Sequence, residues 1–200
     1  MMRNRSIPYV LIPAALAMAA FPLLSGFVRD AVAQQVMPGN TAEMAPRGER
    51  KAREISYGDW QKVCFKTPGS NMVCRTEIIG IWSDTGQSAV RADLIERGGE
   101  TRARLQLFLP VGLYLQTPVK LAVDQGKSYS FPYVWCMTNT CIAGGTADPQ
   151  LISDMEKGGK LVLEVVDSSV QSVSTTLPLG QFASVRRGAP AQTFQQDLDE

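Results

Sequence analysis

Short runs in which apolar residues alternate with polar ones, separated by turn-forming residues, recur between residues 55 and 187. Period-two alternation is typical of a strand with one buried face, and turn residues between such runs indicate hairpins. The runs predict strands at 60–65, 72–79, 88–96, 102–109, 119–123, 129–131, 160–166 and 170–177. Many short strands separated by turns favour an antiparallel β-sandwich over a parallel sheet.

One segment breaks this pattern and predicts a single short helix. Asp148 is a good N-cap residue, and Pro149 suits the first helical turn. Apolar residues at 151, 152 and 155 give the segment one buried face before a Gly-Gly pair ends it. The predicted fold class is therefore mainly β, a sandwich with one short helix.

The first 33 residues have the three parts of a secretory signal peptide. Arg3 and Arg5 are followed by an apolar run of 16 residues, 9–24, and then by the small-x-small sequence that ends at Ala33. An uncleaved membrane anchor is the competing interpretation. A bilayer span needs roughly 20 apolar residues, and this run is shorter and holds two prolines. We therefore expect cleavage before Gln34 and a periplasmic or secreted protein with no transmembrane segment.

Composition sets the boundaries of the domain. Residues 34–54 are rich in Pro, Gly and charge and lack aromatic residues, which predicts a disordered leader. The segment 188–200 is predicted to be a flexible tail, so that 55–187 form one domain of typical size.

The charge balance excludes two classes of partner. The chain has 20 basic and 19 acidic residues, and the signal peptide removes three arginines and one aspartate. The mature chain then holds 17 basic and 18 acidic residues, a net charge of −1. This balance provides no electrostatic footprint for nucleic acid or an anionic membrane.

Four cysteines form two close pairs, Cys64 with Cys74 and Cys136 with Cys141. In an exported chain such pairs are expected to be disulfides, and each of these pairings would close a short hairpin loop. Crossed pairing between the hairpins is the open alternative. A thiol oxidoreductase normally has Cys-x-x-Cys at a helix N-terminus, whereas these spacings are Cys-x9-Cys and Cys-x4-Cys.

Other chemistry is weakly represented. The chain has no histidine, which excludes a Ser-His-Asp triad and histidine-based metal ligation. We identify no catalytic residue, no metal site and no cofactor. Trp60, Trp82 and Trp135 are candidates for a binding surface or for the core, with the core the more frequent place for tryptophan in a small sandwich.

Two loops are candidate partner contacts, since a disulfide would hold each one in a fixed shape before binding. They are 66–71 and 137–140, and their candidate contact residues are Lys66, Asn71, Thr138 and Asn139. Simple loop closure is the competing interpretation.

The order of several short motifs resembles the invasion-associated locus B family of exported bacterial proteins. The motifs are Gly58-Asp59-Trp60 followed by Cys64 and Cys74, then Leu109-Pro110-Val111-Gly112, Val123-Asp124 with Gly126, Pro132 before Cys136 and Cys141, and Gly180 with Phe182. Two positions depart from the family pattern. Thr140 stands where Gly is common, and Gln181 separates two residues that are usually adjacent.

The resemblance implies an immunoglobulin-like β-sandwich in the periplasm or cell envelope of an alphaproteobacterium, with a family link to host-cell invasion in some pathogens. It supplies no catalytic residues. We therefore expect a non-catalytic envelope protein that binds a protein or polysaccharide partner. The alternative is an envelope enzyme, with thiol–disulfide oxidoreductase as its most specific form.

Overall fold

In the computed structural model, which describes residues 45–195, most segments of alternating apolar and polar residues form strands. The described strands are β1 Glu49–Arg50, β2 Ile55–Tyr57, β3 Gln61–Lys66, β4 Val73–Trp82, β5 Ser88–Arg97, β6 Arg104–Leu109, β7 Val119–Val123, β8 Ser128–Phe131, β9 Tyr133–Cys136, β10 Cys141–Thr146, β11 Lys160–Val166, β12 Ser172–Pro178 and β13 Gln192–Gln195. The helices are α1 Pro149–Lys157 and α2 Phe182–Arg187.

The strands form two sheets. The five-stranded sheet has the order β1-β12-β11-β7-β8. The eight-stranded sheet has the order β13-β3-β4-β5-β6-β10-β9, with β2 also paired to β4. All neighbours are antiparallel except the β1–β12 and β13–β3 pairs. The predicted mainly β sandwich is confirmed.

The core lies between the sheets and takes alternate residues from both. Leu94 and Leu105 of one sheet and Leu121 and Leu161 of the other are at most 1% exposed. They belong to one continuous apolar cluster. Each sheet therefore buries its inner face against the inner face of the other sheet.

The predicted helix is confirmed as α1. The Asp148 side chain accepts a hydrogen bond from the N–H of Gln150 at 2.8 Å. Leu151 and Met155 are fully buried, and the helix ends at Gly158.

The expectation of a single helix is wrong, because α2 forms a second one. It has only six residues, too few for a helical period to stand out in the sequence. Its position is fixed by Phe182, which is fully buried and meets the ring of Trp60 edge-on with centroids 4.9 Å apart.

Segments outside the predicted domain boundaries also join the sheets. Within the predicted leader, Glu49 and Arg50 pair with β12, and within the predicted tail β13 pairs with β3. Composition does not detect these strands, since backbone groups form the pairing. Residues 34–44 of the leader, 196–200 of the tail and the whole predicted signal peptide lie outside the described residues.

Neither helix of the described segment is long and apolar enough to cross a lipid bilayer.

Candidate partner-binding surface

Both predicted disulfides are present. Cys64 pairs with Cys74 across β3–β4, and Cys136 pairs with Cys141 across β9–β10. In each case the two cysteines are directly opposite in the register, with Cα atoms 4.0 Å apart. Because the strands already bring these residues together, hairpin pairing rather than crossed pairing is the observed connectivity.

The two candidate contact loops lie at opposite ends of the eight-stranded sheet. The first loop is beside the end of β5, where the N–H of Gly98 donates to the carbonyl of Met72. The second is beside the end of β6, where the Thr140 hydroxyl donates to the carbonyl of Leu109. The two loops are separated, along the strand direction, by the length of β4 from Cys74 to Trp82, which is roughly 26 Å at about 3.3 Å per residue.

Lys66, Asn71, Thr138 and Asn139 are all exposed. The structure therefore brings Lys66 near Asn71 and Thr138 near Asn139, but it does not bring the two pairs together. One compact partner segment would contact only one of these loops. Their role as contacts stays a prediction.

The three tryptophans have different environments. Trp60 is buried, and its indole N–H donates to the carbonyl of Pro178 at 2.7 Å. Trp82 is half-buried beneath the guanidinium of Arg53, 4.8 Å from its ring centroid. Trp135, in contrast, is 64% exposed on β9, the edge strand of the eight-stranded sheet.

Trp135 begins a line of side chains that crosses the outer face of this sheet. Strand register places one residue on each of β9, β10, β6, β5 and β4 side by side. These residues, which we name the apolar row, are Trp135, Ile142, Phe108, Arg91 and Ile79. Four inter-strand steps of about 4.8 Å make the row roughly 19 Å long.

An ionic cluster lies directly beside the apolar row. The Nε atom of Arg91 is 3.1 Å from Asp93, and Arg75 lies 2.8 Å from Glu77 and 3.8 Å from Asp93. Arg91 also covers Phe108, with its guanidinium 3.7 Å from the ring centroid. The cluster is neutral when all four groups are charged, and its members form ion pairs with one another.

Asp93 is the unusual member of this cluster. Its side chain is only 1% exposed although it lies on the outer face. Burial raises the pKa of Asp93 to about 6, against the opposing effect of Arg91 and Arg75. The Arg91 contact is short but is not aligned as a hydrogen bond, which weakens its compensation for desolvation.

The outer face of the five-stranded sheet has the opposite character. Most of its outward positions are small or polar, and they include Ser128, Ser130, Ser174 and Thr176. That composition suits contact with water. The contrast marks the apolar row as a surface adapted to something other than solvent, because contiguous exposed apolar patches are uncommon on monomeric proteins.

A cavity of about 280 Å³ lies between the sheets at the end where β2 begins. The segment from Arg50 to Ile55 borders it, and Arg50 is fixed there by an ion pair with Asp167 at 2.9 Å. Most of the remaining lining is aliphatic. Within residues 45–195, no group of three or more Cys, Asp or Glu side chains is arranged to hold a metal ion.

The sequence contains only part of the signal for this surface. Trp135 is a candidate on residue type alone, whereas Ile79, Phe108 and Ile142 become neighbours only through strand register. No sequence period reveals which strands are adjacent when the order is not sequential, as with β10 beside β6.

These features define a disulfide-linked β-sandwich in which the outer face of one sheet is mostly small or polar and the outer face of the other is crossed by the apolar row and the ionic cluster beside it. The chain belongs to the invasion-associated locus B family, since the family model "Invasion associated locus B (IalB) protein" matches residues 60–189. Its fold is similar to the crystal structure of invasion associated protein b from Bartonella henselae, with a TM-score of 0.58 and 21% identity. The match covers 66% of this chain and 90% of that chain. No curated protein matches the sequence.

Proposed function

We propose that this protein is a non-catalytic component of the cell envelope that binds a protein partner through the apolar row. The observation that carries the proposal is the alignment of Trp135, Ile142, Phe108 and Ile79 on a sheet face that no described element covers. Trp135 and Ile79 are 64% and 43% exposed, so this apolar surface is available to a partner.

The composition of the face favours a protein over a polysaccharide. Protein interfaces are enriched in aromatic residues and arginine and depleted in lysine. Along β4, β5, β6, β10 and β9, which are described in full, no outward position holds a lysine. Sugar hydroxyls need accessible polar partners, whereas the Asp93 side chain is only 1% exposed and both Asp93 and Glu77 lie in ion pairs with arginines.

Charge indicates the character of the partner surface. The outward positions of β4, β5 and β6 carry Arg75, Arg91, Arg97 and Arg104, against Glu77 and Asp93. Four positive and two negative charges give this face a net charge of +2. A complementary partner surface is therefore apolar at its centre with acidic residues around it.

An envelope location is supported by two independent features. Both disulfides need an oxidising compartment to persist, and residues 1–33 have the organisation of a secretory signal. The relative from Bartonella henselae carries the name invasion associated protein b. A role in invasion for the present chain would depend on the identity of its partner.

Photo-crosslinking in living cells tests this proposal. A photoreactive amino acid is placed at position 79 or 108 in the apolar row, and at 174 or 176 on the polar face as the matched control. We expect a discrete protein adduct from the row positions and none from the controls. Equal labelling from both faces, or an adduct that resists protease and yields only sugar, would contradict the proposal.

The contribution of the loops is measured in the same experiment. Lys66→Ala with Asn71→Ala removes one pair of contacts, and Thr138→Ala with Asn139→Ala removes the other, with both disulfides kept. If a loop contacts the partner, its variant reduces the yield of the adduct from position 108. An unchanged yield from both folded variants would rule out these loops as contacts.

A further inference from the structure

We infer that two copies of this chain associate by pairing their β9 strands in an antiparallel orientation about a two-fold axis at Cys136, with Trp135 of each copy against Met137 of the other. This inference concerns the sheet edge and does not depend on the partner proposed above. β9 is the last strand of the eight-stranded sheet, and β10 is its only neighbour among the described strands.

The direction of the backbone groups on β9 sets the geometry of the pairing. The N–H of Met137 donates to the carbonyl of Thr140 at 2.7 Å, so this pair of residues is hydrogen-bonded. Antiparallel pairs alternate between bonded and non-bonded positions. Cys136 and Cys141 are therefore a non-bonded pair, in agreement with their 4.0 Å Cα separation, and the N–H and C=O of Cys136 point to the open edge.

A two-fold axis through Cys136 lets these groups form two hydrogen bonds between the copies. The register then places residue 135 of one strand opposite residue 137 of the other, twice. Trp135 and Met137 are 64% and 42% exposed, and both are uncovered where the other copy would lie. Methionine sulfur packs favourably against an aromatic ring, so each of these two pairs adds an attractive contact.

The edge lacks the charges that normally prevent such pairing. Natural sheets protect their edges with lysine, proline or inward-pointing charge. From Ser128 to Ala147 the chain contains no charged residue, and Pro132 precedes β9 rather than interrupting it. In a two-fold pairing each β9 strand lies against the β9 strand of the other copy, so any charged residue on β9 would lie close to an identical charge. β9 carries none.

Local order lowers the entropy lost on association. The disulfide Cys136–Cys141 and the turn that follows fix β9 against β10. A register irregularity at Ile142/Ala143 leaves Val134 without an opposite residue on β10, and Val134 is 58% exposed beside Trp135. A bulge of this kind changes the direction of a side chain and here leaves two consecutive apolar residues uncovered.

The size of the contact predicts a weak, reversible dimer. Each copy contributes the four residues of β9 and three apolar side chains. A contact of this size buries less than the roughly 1,200 Å² at the lower limit of stable complexes. We therefore expect a monomer–dimer equilibrium in the micromolar to millimolar range rather than a permanent dimer.

Sedimentation equilibrium of the oxidised mature chain, at concentrations up to about 1 mM, measures this equilibrium. Met137→Asp and, separately, Trp135→Lys should each weaken the homodimer at least about tenfold. Ile81→Asp is the matched control, because Ile81 is 39% exposed on the same outer face but lies far from β9. It should leave the dimer unchanged.

Mixing the two variants tests the register itself. A mixed dimer places the introduced aspartate of one chain against the introduced lysine of the other and retains one original Trp135–Met137 contact, so dimerisation should return on mixing. Slower hydrogen exchange of the Cys136 amide at high concentration is expected as well. A chain that is monomeric up to about 1 mM, or a dimer that Met137→Asp does not affect, would overturn the inference. Photo-crosslinking at positions 79 and 108 could still succeed in that case.

Discussion

Arg91 and Asp93 form an ion pair on the outer side of a sheet, with Nε 3.1 Å from Oδ1, yet the Asp93 side chain is buried. The two residues are on the same face of β5, and Arg91 extends over both Asp93 and the ring of Phe108. The arginine therefore shields the carboxylate from water without giving it an aligned hydrogen bond. Desolvation outweighs attraction, and the pKa of Asp93 rises to about 6.

This shift predicts a pH dependence of stability with a definite sign. The unfolded pKa of aspartate is about 3.9, so the folded state binds the proton more tightly. The contribution of Asp93 to the free energy of unfolding is largest below about pH 4 and declines as pH rises through about 6, by up to roughly 3 kcal/mol. Urea unfolding of the native chain and Asp93→Asn from pH 4.5 to 7.5 measures it. The stability of the native chain relative to the variant should fall as pH rises.

Asp84 provides the control for this prediction. It is exposed, and its hydrogen bond to Arg53 lowers its pKa. The sign is therefore reversed: the stability of the native chain relative to Asp84→Asn should be lost only as pH falls below about 4, so it should not vary between pH 4.5 and 7.5. A difference between the native chain and Asp93→Asn that does not vary with pH would contradict the assignment of a raised pKa to Asp93.

The disulfides are predicted to stabilise the fold to different extents. They join residues 10 and 5 positions apart, and the entropy removed from the unfolded chain grows with loop length. Replacing both Cys64 and Cys74 by Ser should cost about 2.7 kcal/mol, and replacing Cys136 with Cys141 should cost about 2 kcal/mol. Denaturant unfolding of the two double variants measures both losses.

Thiol titration of the exported protein accompanies that measurement and should find no free thiol. If Cys136–Cys141 instead equilibrates near the potential of thioredoxin, about −270 mV, the oxidoreductase alternative would gain support.

Sequence alone indicated eight of the thirteen described strands, and it missed β9 and β10, which carry two positions of the apolar row. Period-two alternation predicted most strands of the core, and Asp148 with Pro149 predicted the start of α1, since these features depend on residues close together in the chain. The apolar row depends on β10 lying between β6 and β9, a long-range pairing that no local pattern contains. For the same reason Glu49–Arg50 and β13 escaped prediction, because their ladders use backbone groups and residue type carries little information about them.

Trp60 and Trp135 offer a comparison of one residue type in two environments. Trp60 is 4% exposed, donates to the carbonyl of Pro178 and contacts Phe182. Trp60→Ala should therefore lower the free energy of unfolding by about 3–5 kcal/mol, the usual cost of truncating a buried aromatic residue. Trp135→Ala should change it by no more than about 0.5 kcal/mol. Equal midpoints of urea unfolding for the two variants would contradict the assignment of Trp60 to the core.

Asp167 is expected to hold the segment at 45–54 against the sandwich. Its Oδ1 accepts hydrogen bonds from the N–H groups of Ser169 and Gln171, and its Oδ2 accepts one from Arg50 at 2.9 Å. The same bonds, that of Gln171 foremost, lower the pKa of Asp167. They also fix a turn in which Val170 has a φ of 61°, a left-handed conformation that is costly for a β-branched residue.

Asp167→Ala leaves two backbone N–H groups unpaired and removes the partner of Arg50, so the free energy of unfolding should fall by roughly 2 kcal/mol. Hydrogen exchange should also accelerate at the amide of Ser172, which donates to the carbonyl of Gly48. Arg53→Gln is the control, since it removes the solvent-exposed pair with Asp84 and the guanidinium contact with Trp82 but leaves the bonds of Asp167 intact, and exposed ion pairs contribute little to stability. If both variants lose stability equally and the Ser172 amide stays protected in each, backbone pairing between β1 and β12 would be sufficient to hold the segment without Asp167.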